Sequence, residues 1–269
     1  FGAIEGASLE ANKGAYSYAW MIIFAVIAAI MVLIGLYHIR MLPSNQIPST
    51  TKKTTSEVGR ELVVVIANFF TKKHIFYYIC FIILYRLAEG FIMKIAPLFL
   101  RASREVGGLG LSLKEIGTLN GVFGSAAFVL GSLLAGIYVS KFGLKRTLFT
   151  LCCIFNLPFL AYTFLAVTQP TNVYLIGTCI TMEYFGYGFG FVGLTLFMMQ
   201  QIAPGKHQMS HYAFASGIMN LGVMLPGMVS GYFSDLLGYR NFFIYVLIAT
   251  IPAFLITYFI PFTYDDSKK

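Results

Sequence analysis

The chain has 269 residues, of which 58% are hydrophobic and 11% are charged, and its formal net charge is +8. Soluble domains carry about a quarter charged residues, so this composition excludes an ordinary soluble domain and indicates an integral membrane protein. The sequence has no basic stripe with interleaved aromatic residues. We therefore expect no nucleic-acid partner and assign the positive charge to loops that face an anionic leaflet.

Apolar runs of helix length predict an all-α membrane protein with seven transmembrane helices. The predicted spans are residues 15–37, 74–100, 116–140, 147–167, 172–199, 212–237 and 241–262. The chain begins at Phe1 without a signal-peptide pattern, so we expect a fragment of a longer protein.

The longest predicted connection, residues 41–73, begins with a polar stretch and then becomes periodic. Within 56–70, apolar residues recur every three or four positions and charged residues lie on the other side, which predicts an amphipathic helix. Such a helix either lies flat on the membrane surface or packs on the helix bundle. Both alternatives remain open at this point.

The distribution of lysine and arginine residues in the loops predicts the orientation. Twelve lie on the side of residues 41–73 and five lie on the other side. Because cytoplasmic loops carry the excess of positive charge, we expect the C-terminus in the cytoplasm and the N-terminus outside.

A shift of 95 residues aligns the third span with the sixth, the second with the fifth and the fourth with the seventh. Gly136 then falls on Gly231, and Gly143 falls on Gly238. Each unit holds three helices, so consecutive units enter the membrane in opposite senses. Inverted three-helix repeats of this kind are typical of secondary transporters.

The segment from Gly136 to Arg146 resembles the cytoplasmic loop motif of the major facilitator superfamily, G-x-x-x-D-[RK]-x-G-[RK]-[RK], with Ser140 in place of the aspartate. This resemblance implies a gating or positioning role for a set of residues from both copies of the motif. The set is Gly136, Lys141, Gly143, Lys145, Arg146, Asp235 and Gly238. The substituted Ser140 puts a gating salt bridge from the first copy in doubt.

Within that superfamily, four segments resemble the muropeptide permease branch, the β-lactamase-induction transducers related to acetyl-CoA transporters. They are YRLAEGFIMKIAPLFLR at 85–101, GLSLKEIGTLNG at 110–121, EYFGYGFGFVG at 183–193 and YAFASGIMNLGVMLPGMVSGYFSDLLGYRNFF at 212–243. The resemblance implies proton-driven import of anhydro-muropeptides across the bacterial inner membrane. A sugar carrier and an acetyl-CoA carrier are the alternatives within transporters.

The resemblance also implies a domain organisation. Residues 1–40 would hold a periplasmic segment and the last helix of an N-terminal half, and 41–73 the cytoplasmic loop between the halves. Residues 74–264 would form the C-terminal six-helix bundle, and 265–269 a cytoplasmic tail. The missing N-terminal half, the bilayer and a small-molecule substrate are then the expected partners.

Three charged residues, Arg86, Glu89 and Lys94, lie in the apolar segment 74–100. A charge near the bilayer centre costs about 3 kcal/mol or more, so such residues normally face a partner or an aqueous cavity. Arg86 and Glu89, three positions apart on a helix, can pair with each other. Lys94 has no acid at good spacing on its own helix, and we predict that it meets Glu183 or an anionic part of the substrate.

Glu183 lies midway along the fifth span and is predicted to carry the coupling proton. Tyr187, one turn away, is a candidate for stacking on a sugar ring. Asn120 and Asn220 bind either a substrate hydroxyl or a neighbouring helix. The general alternative is structural, because ion pairs between helices also stabilise a bundle.

We predict no metal site, no organic cofactor and no catalytic residue. His207 and His211 fall in a predicted loop, where we expect them to be solvated. The spans lack a nucleophile–base pair, which disfavours an enzyme, and no G-x-x-x-x-G-K-[ST] motif exists for ATP. The main alternative from another class is a seven-helix receptor or sensor, which would be complete within this chain.

Overall fold

The structure is a computed structural model that describes residues 9–41 and 54–264. Within this part the chain is helical and contains no strand. It divides into two compact units between Val58 and Gly59, and each is described by itself. The predicted tail at 265–269 and the polar start of the inter-half loop lie outside the described residues.

The first unit contains one long helix, α1 (Leu9–Met41), whose segment Ser17–Met41 is long and apolar enough to cross a membrane. The remaining helices follow in chain order. They are α2 (Thr55–Phe70), α3 (Ile75–Tyr85), α4 (Leu87–Arg101), α5 (Leu113–Thr118), α6 (Ser125–Phe142), α7 (Leu144–Asn156), α8 (Phe159–Thr168), α9 (Val173–Phe197), α10 (Gln208–Ala249) and α11 (Ile251–Phe259). A π-helical turn, Leu119–Gly124, joins α5 to α6, and another, Met198–Ile202, extends α9.

Five segments of the described chain are long and apolar enough to cross a membrane, so the multi-pass prediction is confirmed while the count of seven is not. The segment Gln208–Phe259 accounts for two predicted spans, and its 52 residues exceed the roughly 20 that one crossing needs. Helix α9 is not among the five, because Glu183 and its glycines lower its mean hydropathy.

The glycines of the loop motif form sharp turns at equivalent places. Gly143 has φ 79° and ψ 148° between α6 and α7, and Gly238 has φ 69° and ψ 161° within α10. A residue with a Cβ is strained at positive φ, which explains why glycine occupies both positions. The two turns are 95 residues apart, the spacing of the predicted repeat.

Close helix contacts also recur at this spacing. Helix α6 packs on α9, and a Cβ built on Gly131 would lie 2.3 Å from Phe185 O. Helix α4 packs on α10, and a Cβ on Gly90 would lie 2.3 Å from Pro226 Cγ. Under the 95-residue shift, Gly131 corresponds to Pro226 and Gly90 corresponds to Phe185. The two contacts therefore occupy equivalent positions in the repeat.

Helix α2 is the predicted amphipathic helix, and part of it packs on the start of α10. Phe69 is fully buried, and its ring contacts the rings of His211 and Phe214 at 5.8 and 4.7 Å between centroids. Leu62, which lies two turns before Phe69 on the same face, and Val63 are both exposed. The packing alternative therefore holds for the C-terminal end of α2, while the exposed apolar residues before it suit a membrane surface.

The prediction of a solvated His211 is wrong. The residue is 3% exposed in the first turn of α10, and His211 Nε2 lies 3.2 Å from Val65 O. His207 is half-buried, with its ring 5.9 Å from that of His211. Sequence reasoning failed here because the loop is shorter than predicted and α2 covers the start of α10.

Candidate functional site

A cavity with a volume of about 140 Å³ lies between α4, the first π-helical turn, α8 and α9. Its polar lining comprises Glu89, Asn120, Tyr162, Glu183, Tyr184 and Tyr187. Four of the predicted site residues, Glu89, Asn120, Glu183 and Tyr187, are thus brought together. They come from three separate predicted spans, so their proximity is a property of the tertiary fold.

The segment predicted as one helix over 74–100 is interrupted at Arg86, which separates α3 from α4 with φ −103° and ψ 6°. Glu89 lies in the first turn of α4, where the helix dipole favours a negative charge. Interrupted helices at membrane depth are tolerated where they line a cavity or are buried in protein.

Arg86 and Glu89 form the buried ion pair that their spacing predicts. Arg86 Nε donates to Glu89 Oε2 over 2.6 Å, and Arg86 Nη2 donates to Glu89 Oε1. The two residues are 4% and 5% exposed, and the guanidinium also lies over the Phe191 ring at 5.4 Å. The positive charge of Arg86 is therefore already neutralised within the protein.

Glu183 and Asn120 face the cavity without partners in the described part of the chain. No ion pair or hydrogen bond links Glu183 to another described residue, and Asn120 Oδ1 is buried without a hydrogen-bond donor. A buried acceptor that lacks a donor costs about 1–3 kcal/mol, so a bound molecule that supplies donors would be stabilised here.

The structure does not place Lys94 beside Glu183. Lys94 is exposed and does not line the cavity, and its side chain lies along α10, where a Cβ on Gly227 would be 3.4 Å from Lys94 Cγ. The reason is angular, because Lys94 follows Glu89 by five residues and so projects about 140° away from it. The predicted Lys94–Glu183 pair is absent among the described residues.

Asn220 is exposed on α10 and lies outside the cavity lining, so the structure separates it from Asn120. Two lining residues, Tyr162 and Tyr184, were missed by the sequence reasoning. Tyr184 directly follows Glu183, and a tyrosine hydroxyl inside a span is the signal that could have identified it. Tyr162 on α8 carries no such local signal.

The predicted gating residues lie at two separate places in the chain, around the α6–α7 turn and within α10. Lys141, Lys145, Arg146 and Asp235 are exposed, and Lys141 Nζ lies 5.5 Å from the centre of the Phe142 ring. The turn glycine Gly143 donates its N–H to Val139 O over 2.8 Å and so ends α6. Gly136 has open space around it, with no atom within 4 Å of a built Cβ.

Comparison with known proteins gives a consistent set of relatives. The chain is 22% identical over 209 residues to the anhydromuropeptide permease of Escherichia coli strain K12, covering 78% of the chain and 41% of that protein. It is 25% identical over 238 residues to putative transporter AmpG 1 of Rickettsia bellii, covering 87% and 56%. Putative transporter AmpG 2 of Rickettsia prowazekii is 27% identical over 204 residues, covering 74% and 47%.

These relatives confirm the resemblance to the muropeptide permease branch. No protein-family model matches the chain. The chain spans about half the length of the curated relatives it matches. These three relatives are permeases and transporters by name.

Proposed function

We propose that the chain is the C-terminal part of a secondary active transporter that imports anhydro-muropeptides across the bacterial inner membrane, driven by protons. The observation that carries the proposal is the cavity between α4, α8 and α9, which contains the unpaired carboxyl group of Glu183. The names of the relatives support the same class of solute. Glu183 is the coupling residue in this proposal.

The proposal includes the architecture of a six-helix half built from two inverted three-helix repeats, preceded by the last helix of the other half. Three observations support it: the equivalent turns at Gly143 and Gly238, the equivalent contacts of Gly131 and Gly90, and the interrupted helix at Arg86. Seven crossings follow if α9 crosses and Gln208–Phe259 crosses twice.

Alternating access in this proposal comes from rocking of the half-bundles around a substrate bound near the membrane midplane. Glu183 would bind a proton from the outer side and release it to the cytoplasm. Tyr187, which interacts with both Glu89 and Arg86, would contact the sugar ring beside that pair. Lys94 remains a candidate for the anionic part of the substrate, outside the cavity.

Uptake by the full-length protein in proteoliposomes tests the proposal. With a pH gradient, labelled anhydro-muropeptide should accumulate in vesicles that contain the wild-type protein. In Glu183→Gln, accumulation should fall to the level without a gradient, while exchange of labelled for unlabelled substrate continues, because exchange moves no net proton. Glu105→Gln is the matched control, since Glu105 is exposed and outside the cavity.

Undiminished gradient-driven accumulation by Glu183→Gln would refute the coupling role of Glu183. Failure of the wild-type protein to transport anhydro-muropeptide, together with uptake of a simple sugar or acetyl-CoA, would refute the substrate. Both results are read from the same vesicles with different labelled solutes.

A further inference from the structure

The chemistry of the cavity does not suit the anionic part of a substrate. Two of its lining residues, Glu89 and Glu183, carry carboxyl groups, and within the described chain no lysine, arginine or histidine lines it. A carboxylate or phosphate in this space would find no unpaired cation among the described lining residues, since the charge of Arg86 is already balanced by Glu89. The ligand group that suits this cavity is therefore neutral or positively charged.

The acceptors that line the cavity differ in whether they already have hydrogen-bond donors. The Glu89 oxygens already accept two hydrogen bonds from Arg86, so a ligand need not supply further donors to Glu89. Asn120 Oδ1 is buried and lacks a donor in the described chain, and Glu183 has neither a donor nor a counter-ion there. One carboxyl group and one amide oxygen are thus acceptors to which a ligand can donate hydrogen bonds.

A primary ammonium group supplies three donors and a single positive charge. Tyr162, Tyr184 and Tyr187 also line the cavity, and tyrosine rings attract a cation within about 6 Å. The cavity volume of about 140 Å³ is below the roughly 300–1,000 Å³ of sites that hold whole ligands. It therefore admits the end of a larger molecule.

We propose that this cavity is an ammonium subsite, in which Asn120 Oδ1 and the Glu183 carboxyl group, which keeps its coupling proton, accept hydrogen bonds from a free amino group of the peptide part of the substrate. The inference rests on the proposed transport function and specifies which part of the solute enters the cavity. The anionic groups then lie outside it. Asn120 becomes a specificity-determining residue, because its buried Oδ1 lacks another donor among the described residues.

Two ligands test the subsite on the unmodified full-length protein. One is an anhydro-muropeptide with a single free amino group in its peptide, and the other is the same molecule acetylated at that amine. Binding is measured by titration calorimetry on purified protein, and uptake is measured in proteoliposomes. Acetylation should weaken binding by at least about tenfold, because a charged hydrogen bond contributes about 1.5–3 kcal/mol and 1.4 kcal/mol is a factor of ten.

The outcomes separate the two proposals. Equal affinity for both ligands overturns the ammonium subsite and leaves transport intact. A preference for the free amine without uptake overturns transport and supports the subsite. Absence of binding by either ligand overturns both.

A protein variant gives an independent readout. Asn120→Leu should reduce the preference for the free amine to within a few fold, while binding of the acetylated ligand changes little. Asn68→Leu is the matched control, because Asn68 is exposed on α2 and outside the cavity. An unchanged preference in a folded Asn120→Leu protein would exclude Asn120 from the subsite.

Discussion

The Arg86–Glu89 pair offers the sharpest quantitative test of how this bundle holds buried charge. Both residues are at most 5% exposed, and two hydrogen bonds join them. Removing one partner leaves the other charge buried and uncompensated. We therefore expect Arg86→Met and Glu89→Leu each to lower the free energy of unfolding by about 3–5 kcal/mol.

The double variant Arg86→Met/Glu89→Leu should recover most of that loss. Replacing both ends of a buried ion pair with apolar residues of similar size is often neutral or stabilising. The double variant should therefore be several kcal/mol more stable than the sum of the single losses. The non-additivity measures the coupling between the two side chains.

Unfolding by denaturing detergent in mixed micelles, followed by circular dichroism, gives these free energies. Lys141→Met is the control, because Lys141 is exposed and its loss should change stability by less than about 0.5 kcal/mol. Additive losses in the double variant would refute the reasoning, since they would mean that the two charges are satisfied independently.

Two further predictions concern stability. Gly131→Ala should destabilise the bundle by about 1–3 kcal/mol, since the added Cβ would lie 2.3 Å from Phe185 O. Gly136→Ala on the same helix is the control and should not destabilise the bundle, because a Cβ there has open space. Equal effects of the two substitutions in thermal melts would contradict the close contact at Gly131. Burial lowers the pKa of the Lys72 ammonium, which donates to Pro204 O over 2.7 Å, below its usual 10.5. Just below pH 10.5 the unfolded chain then binds more protons, so the stability of the wild type relative to Lys72→Met should rise with pH in that window. A flat or falling difference between the two melting curves would contradict this.

The sequence alone determined the features that depend on local patterns. Hydropathy identified the membrane class, and a spacing of three to four residues identified α2. The equivalence of Gly143 and Gly238 was predicted from their spacing, and both adopt the positive φ that only glycine accepts easily. Arg86 and Glu89 pair as predicted because the contact spans a single helical turn.

Only the tertiary structure decided which polar side chains share a cavity. That depends on the rotation of each helix about its axis and on its neighbours, which a single apolar span does not specify. Lys94 therefore lies along α10 and away from Glu183, and Tyr162 joins the cavity without any local signal. The same dependence buried His211 under α2. As a result, Glu183 and Asn120 present unpaired acceptors to the cavity, although Lys94 was predicted to meet Glu183 or an anionic part of the substrate.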